Sequence, residues 1–200
     1  MTAASGWEEE EAMLVIWEED FSTRAFRLEK EILEMEKLAE VKFTLPGSLR
    51  GKFPPDLKIR ITPGSPPPPD YFHCGPMRVV SEDLMGLLLA WPVTEAEFFP
   101  VQVFQKDKPA DRNYFCFHVV VEVDCLDLER SEYTLYEGTE FVKSVKRLAL
   151  DESKTDGHTL FRLARFYRTI TCVQESLAGE IRKARLTGLT FINSQDWRWR

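Results

Sequence analysis

The sequence has no CxxC pair, no HxxxH, no GxSxG and no GxGxxG or GxxxxGK[ST], and each absence closes a class of function. Structural zinc sites draw ligands from closely spaced cysteine and histidine pairs. A hydrolase nucleophile elbow needs the serine between its glycines, and a phosphate-cradling loop needs glycines at fixed spacing, whereas the ten glycines here are scattered. The four cysteines, Cys74, Cys116, Cys125 and Cys172, lie far apart. They fit free, mostly buried thiols in a reducing compartment better than a disulfide framework. The longest near-apolar run, from Leu84 to Val93, spans 10 residues, about half of the roughly 20 that a membrane-crossing helix requires. The start, MTAASGWEEEE, lacks the basic segment and long apolar stretch of a secretory signal. A cytoplasmic location with no membrane partner is therefore expected.

Basic charge is also in short supply. Of 33 acidic and 26 basic residues, the first forty positions hold 12 and 4, leaving 21 and 22 for the rest, so the net charge of -7 belongs to the N-terminal fifth. Direct binding of nucleic acid, which needs excess Lys and Arg to neutralise phosphates, is not expected. A basic protein partner is.

With 44% hydrophobic and 30% charged residues the chain has the composition of a globular protein. Its 200 residues suffice to bury about 70% of the unfolded surface, so residues 1–200 are read as a single domain. The stretch NYFCFHVVVEVD, from Asn113 to Asp124, is rich in aromatic and β-branched residues and free of Gly and Pro. It predicts a strand apolar on both faces, in the middle of a sheet. Around it, residues 12–17 read as a first strand ending at Trp17, and FFPVQVF from Phe98 as another. Residues 142–150 read as a further strand, TLFRLARFYRTITCV from Thr159 as one or two, and Leu189 to Ile192 as a closing strand. Ala25, Leu28, Ile32, Met35 and Ala39 recur at helical spacing and predict a helix from Ser22 to about Val41. Ser81 followed by Glu82 and Asp83 predicts a capped helix ending before Pro92, and Glu175 to Arg185 predicts a second, with Gly188 as its left-handed cap.

Between Leu45 and Pro76 prolines dominate, so the reading allows only Leu57 to Ile61 as a strand and takes Pro66 to Pro69 as a stiff surface connector. Leu126 to Glu137 reads as a loop. VVSEDLMGLL and CVQESLAGEI echo each other, each a strand end running into an acidic helix start. The expected class is α+β: a mixed, mostly antiparallel sheet with a few short helices packed on it.

Catalytic constellations are weak. Cys116 and His118 are two apart on one strand and so share a face, and Cys125 or His73 and Cys74 are their possible neighbours. A hydrogen-bonded core histidine explains His118 without a metal, and no cofactor, metal or catalytic residue is expected. Glu8, Glu9, Glu10 and Glu11 read as a solubilising terminus or a contact surface. Trp7, Trp17, Trp197 and Trp199, near the chain ends, fit core or interface anchors, with core favoured for Trp17.

Phe43, Gly47, Leu49, Pro55 and Asp70 are followed in order by VVSEDLMGLL, FFPVQVF, YFCFHVVVEVDCLDLERSE and CVQESLAGEIRKARLTGLTF. That order resembles a family of α+β immunity proteins of bacterial polymorphic-toxin systems, formerly a domain of unknown function. The resemblance covers about residues 40–195. It is most specific at the Ser-Glu helix start after two valines, at Ser131-Glu132 and at the Leu186-Thr187-Gly188-Leu189 turn. It implies a cytoplasmic protein without chemistry of its own that binds and blocks a cognate toxin, often a nuclease with a basic surface. On that footing Glu18, Glu19 and Asp20, with Glu8 to Glu11, are the candidate toxin contacts. Two alternatives stay open: an adaptor for another basic partner, and a hydrolase with an unusual site around Cys116 and His118.

Overall fold

The structure is a computed structural model that describes residues 14–20, 29–62 and 65–198. In chain order its strands are β1 (Leu14–Glu19), β2 (Lys30–Leu33), β3 (Lys58–Ile61), β4 (Tyr71–Cys74), β5 (Met77–Ser81), β6 (Ala96–Gln105) and β7 (Lys108–Pro109). They continue with β8 (Tyr114–Val119), β9 (Glu122–Val123), β10 (Glu132–Leu135), β11 (Val142–Arg147), β12 (Leu160–Leu163), β13 (Thr171–Gln174) and β14 (Leu189–Asn193). The helices are α1 (Glu82–Ala90) and α2 (Glu175–Lys183). This is an α+β arrangement, built on two large sheets where the sequence predicted one.

One sheet runs β14-β1-β13-β12-β9 and the other β2-β3-β6-β8-β5-β4, with β7 hung on β6. Most pairings are antiparallel; β12 with β9 and β3 with β6 are parallel. Alternation along the strands sorts the core into layers. On the smaller sheet Leu14, Ile16, Phe161, Leu163 and Cys172 face one way, under the β10–β11 hairpin. Val15, Trp17, Leu160 and Val173 face the other sheet and meet Val80, Phe117 and Val119 there. Both helices feed this shared layer through Leu84, Leu88, Leu177, Ala178 and Ile181. Each of these buried Leu and Ile side chains stabilises by about 1.5–3 kcal/mol. The echoed segments occupy matching positions: β5 runs straight into α1 and β13 straight into α2, one in each sheet.

The 113–124 stretch is the hinge between the sheets. Its first half, β8, lies between β6 and β5 in the centre of the larger sheet. Val120 and Val121 then leave that ladder, Val121 O accepting from Arg162 N, and β9 joins the edge of the smaller sheet beside β12.

The predicted helix from Ser22 to Val41 is corrected where the structure describes it. Residues 21–28 lie outside the described ones, but Lys30–Leu33 is strand β2, paired with β3. Glu34 at φ 61 then breaks the run into a short 3-10 turn. The ladder to β3 outweighs a helical spacing that Leu33 and Leu38 already blurred. The proline-rich region holds more strand than Leu57 to Ile61: Tyr71–Cys74 contains no proline and forms a hairpin with β5 around Gly75. The tetraproline lies at the surface only in its first half, since Pro67 is exposed but Pro68 and Pro69 are buried and Pro68 O accepts from the Tyr114 hydroxyl. Glu132–Leu135, read as loop, is β10. The left-handed residue that ends α2 is Arg185, at φ 55, while Gly188 serves another contact.

Candidate functional site

Glu18 and Glu19 end β1, and both are engaged inside the fold. Glu18 Oε1 accepts from Trp197 Nε1 at 2.7 Å and lies 3.4 Å from Arg168 Nη2. Glu19, 6% exposed, takes Lys30 Nζ at 3.2 Å and the His73 amide at 3.3 Å. Asp20 follows the strand, its amide bonded to Gly188 O. Glu8 to Glu11 lie outside the described residues, as do Trp7 and Trp199. Trp17 is mid-strand in the shared core, packed on Tyr71 and Phe117 at ring distances of 5.3 and 5.4 Å. Trp197 is buried under Arg168.

Cys116 and His118 share a strand but have separate surroundings. Burial raises the Cys116 thiol well above its ordinary value, and His118 Nε2 lies 2.9 Å from Gly47 O. Burial and the nearby Arg162 hold His118 below its usual pKa against the opposing effect of that carbonyl. All four cysteines are free and buried, and among the described residues no group of three or more His, Cys, Asp or Glu could hold a metal. No helix among the described residues is long and apolar enough to cross a membrane.

Two features the sequence did not single out stand apart from this packing. One is an aromatic ridge. Tyr136 and Phe141 flank the turn of the β10–β11 hairpin, closed by a bond from Tyr136 N to Phe141 O. Tyr167 comes from the loop between β12 and β13 and stacks on Phe141 at 4.3 Å, with Tyr136 edge-on at 5.2 Å. These rings stay 40%, 39% and 55% exposed. Tyrosine is among the residue types that dominate binding energy at protein interfaces, and an exposed aromatic ring offers a large apolar area to bury there. The ridge is braced from behind. Val142 N bonds Arg165 O, and Arg165, at φ 70, grips Asp124 through two bonds of 2.7 and 2.6 Å.

The other feature is a cleft of about 420 Å³ between the two sheets. Trp17, Glu18 and Arg162 line it from the smaller sheet, and His73, Met77, Arg78, Phe117 and His118 from the larger. Arg168 and Thr169 of the β12–β13 loop close it, so the loop that carries Tyr167 also borders the cleft. Its polar groups strap the sheets together. Arg78 donates to Thr169 O at 2.7 Å, and Arg162 donates from Nη1 to Phe43 O at 3.2 Å and from Nη2 to Thr44 O. Burial, together with the cations Arg78, Lys30 and Arg168, holds His73 far below its ordinary pKa. Burial and Arg78 pull Arg162 down to about 10 against the pull of Glu122, which leaves its guanidinium charged at neutral pH.

A family model described as an immunity protein family (Imm11) matches residues 14–196. No curated protein sequence matches the chain.

Proposed function

The chain belongs to the immunity protein family (Imm11), and from that premise we propose that it binds a cognate bacterial toxin domain and neutralises it by direct contact, performing no chemistry itself. The match across residues 14–196 carries this reading. The toxin is a nuclease-type domain of a polymorphic-toxin system with a basic surface, met in the cytoplasm. The net charge of -7 supports such a partner, since opposite charge speeds encounter.

The ridge of Tyr136, Phe141 and Tyr167 is the centre of the contact, and the acid-rich first forty residues, with Glu8 to Glu11, steer the approach. Rigid, exposed rings lose little conformational entropy on binding and bury a large apolar area. The test is co-purification of the full chain with the toxin domain encoded beside it, together with relief of toxicity in cells. A toxin neither captured nor inhibited would overturn the reading.

A further inference from the structure

Among the described residues only four buried side-chain polar atoms lack a hydrogen-bond partner, and three of them fall in one row. Trp17 is paired across the ladder with Thr171, and Thr171 with Arg162. Residues directly opposite in a ladder share a face, so the side chains of Trp17, Thr171 and Arg162 stand at successive positions on the face turned toward the other sheet. The three residues are 3%, 2% and 1% exposed. A buried donor left unpaired costs about 1–3 kcal/mol, and three neighbouring ones make a row waiting for an acceptor. Trp17 and Arg162 both line the 420 Å³ cleft.

We propose that this cleft is a receptor for one carboxylate side chain, an Asp or Glu presented by the toxin. The carboxylate of Glu18 in the wall selects a monoanionic carboxylate over a phosphate. The Nη groups of Arg162 and one Nη of Arg78 are already committed to backbone carbonyls, and Glu18 keeps a negative charge in the wall. A dianion would meet the Glu18 carboxylate with twice the charge of a single carboxylate. Of the row, Trp17 and Arg162 border the cleft and offer N–H donors to a carboxylate head, and the apolar wall of Trp17, Met77 and Phe117 suits an aliphatic stem. The β12–β13 loop links this receptor to the ridge, so a partner seated on Tyr167 has the cleft's rim, Arg168 and Thr169, next to it.

The origin of the carboxylate rests on the toxin-binding reading; the receptor itself is tested without any toxin, so the two can fail separately. The intact ¹⁵N-labelled chain is titrated with capped glutamate bearing an amidated α-carboxyl, with N-acetylglycine, and with inorganic phosphate. The readout is the Trp17 Nε1–H and Arg162 Nε–H resonances, with exposed Arg50 as internal control. Capped glutamate should move the Trp17 and Arg162 signals together and saturably while Arg50 stays still. Glu18→Gln, which removes the like charge, should tighten that binding about 3- to 10-fold. No saturable shift at Trp17 and Arg162 overturns the receptor. Saturation by phosphate or by N-acetylglycine without capped glutamate overturns the side-chain carboxylate, and unchanged or weaker binding in the Glu18→Gln protein overturns the placement beside Glu18.

Discussion

Asp70 holds Thr187 at two points, its Oδ2 accepting from the Thr187 amide and from the Thr187 hydroxyl, each at 2.8 Å, across 117 residues of chain. Its Oδ1 takes the Ser81 hydroxyl at 2.9 Å and the Arg112 guanidinium, and Ser81 in turn caps α1 by accepting from Leu84 N. One carboxylate, 5% exposed, thus joins the start of α1 to the turn that leads into β14. Asp70→Asn keeps the shape and removes the charge and an acceptor. It should lower the unfolding free energy by about 2–4 kcal/mol, read from urea denaturation at pH 7. A loss below about 0.5 kcal/mol would show that the clasp is incidental.

The same clasp sets a pH dependence. Burial alone would push the Asp70 carboxyl up; the Thr187 and Ser81 bonds and the Arg112 charge outweigh it and leave the pKa below the ordinary value of 3.8. A carboxyl whose folded pKa is depressed contributes fully above its unfolded pKa of about 3.9 and loses that contribution as pH falls through the folded value. Wild-type stability should therefore drop below about pH 4. The Asn variant, with no proton to gain there, should show a shallower acid limb in urea midpoints taken from pH 7 downward.

Gly188 is the other half of that turn. At φ 86 it presses so close to β4 that a Cβ would stand 2.1 Å from Tyr71 O and 2.8 Å from Pro69 Cβ. Gly188→Ala therefore meets backbone, which cannot yield cheaply, and should cost more than about 3 kcal/mol or abolish folding. Gly47 has a similar φ of 96 with nothing within 4 Å, so Gly47→Ala should cost only about 1 kcal/mol of backbone strain. Equal melting temperatures for the two variants would refute the close approach.

Much of the fold was legible because local chemistry and tertiary position agree. Ser81, Glu82 and Asp83 announced α1, and Asn113 to Asp124 announced a central strand, which holds for Tyr114 to Val119 but not for Glu122 and Val123, which join the other sheet. Reading failed where a distant strand decides. Ile32 and Met35 sit at helical spacing, yet Ile32 is drawn onto Ile59 of β3. Tyr71 to Cys74 was hidden by the prolines before it. The cleft was out of reach for the same reason: Trp17, Thr171 and Arg162 are ordinary residues in three separate segments, and only the ladder sets their side chains in one row. Tyr136, Phe141 and Tyr167 gave no signal either, because exposure of an aromatic is a property of the packed molecule.

The thiols should be inert until the chain unfolds. Burial raises Cys74 to about 11 and Cys125 to about 12, and holds Cys116 and Cys172 well above the ordinary thiol value too. Thiolate, the reactive form, is then scarce at pH 8 and sterically covered as well. An aromatic disulfide reagent should find no reactive thiol in the native protein and four in guanidinium, whereas rapid native labelling would contradict the burial.

Ridge and charge should separate in binding experiments. Tyr167→Ala and Phe141→Ala remove exposed rings, so each should weaken toxin binding by about 10- to 100-fold, mainly through faster dissociation, while the melting temperature hardly moves. Affinity unchanged in both would remove the ridge from the contact.

The acids fall into two groups that mutate differently. Glu19 is enclosed by Lys30 and His73, so Glu19→Ala strands a largely buried cation and should lower stability by about 1–3 kcal/mol whatever it does to binding. Replacing Glu8, Glu9, Glu10 and Glu11 together by Gln should leave the melting temperature in place. Steering requires charge and not a fixed structure, so this variant should slow association with the toxin and flatten its dependence on salt between about 10 mM and about 500 mM, with dissociation unaffected. Stopped-flow mixing at the two salt concentrations distinguishes the cases. An unaltered association rate at low salt would leave the acidic stretch without a part in recognition, and a changed dissociation rate would make it a contact surface instead of a guide.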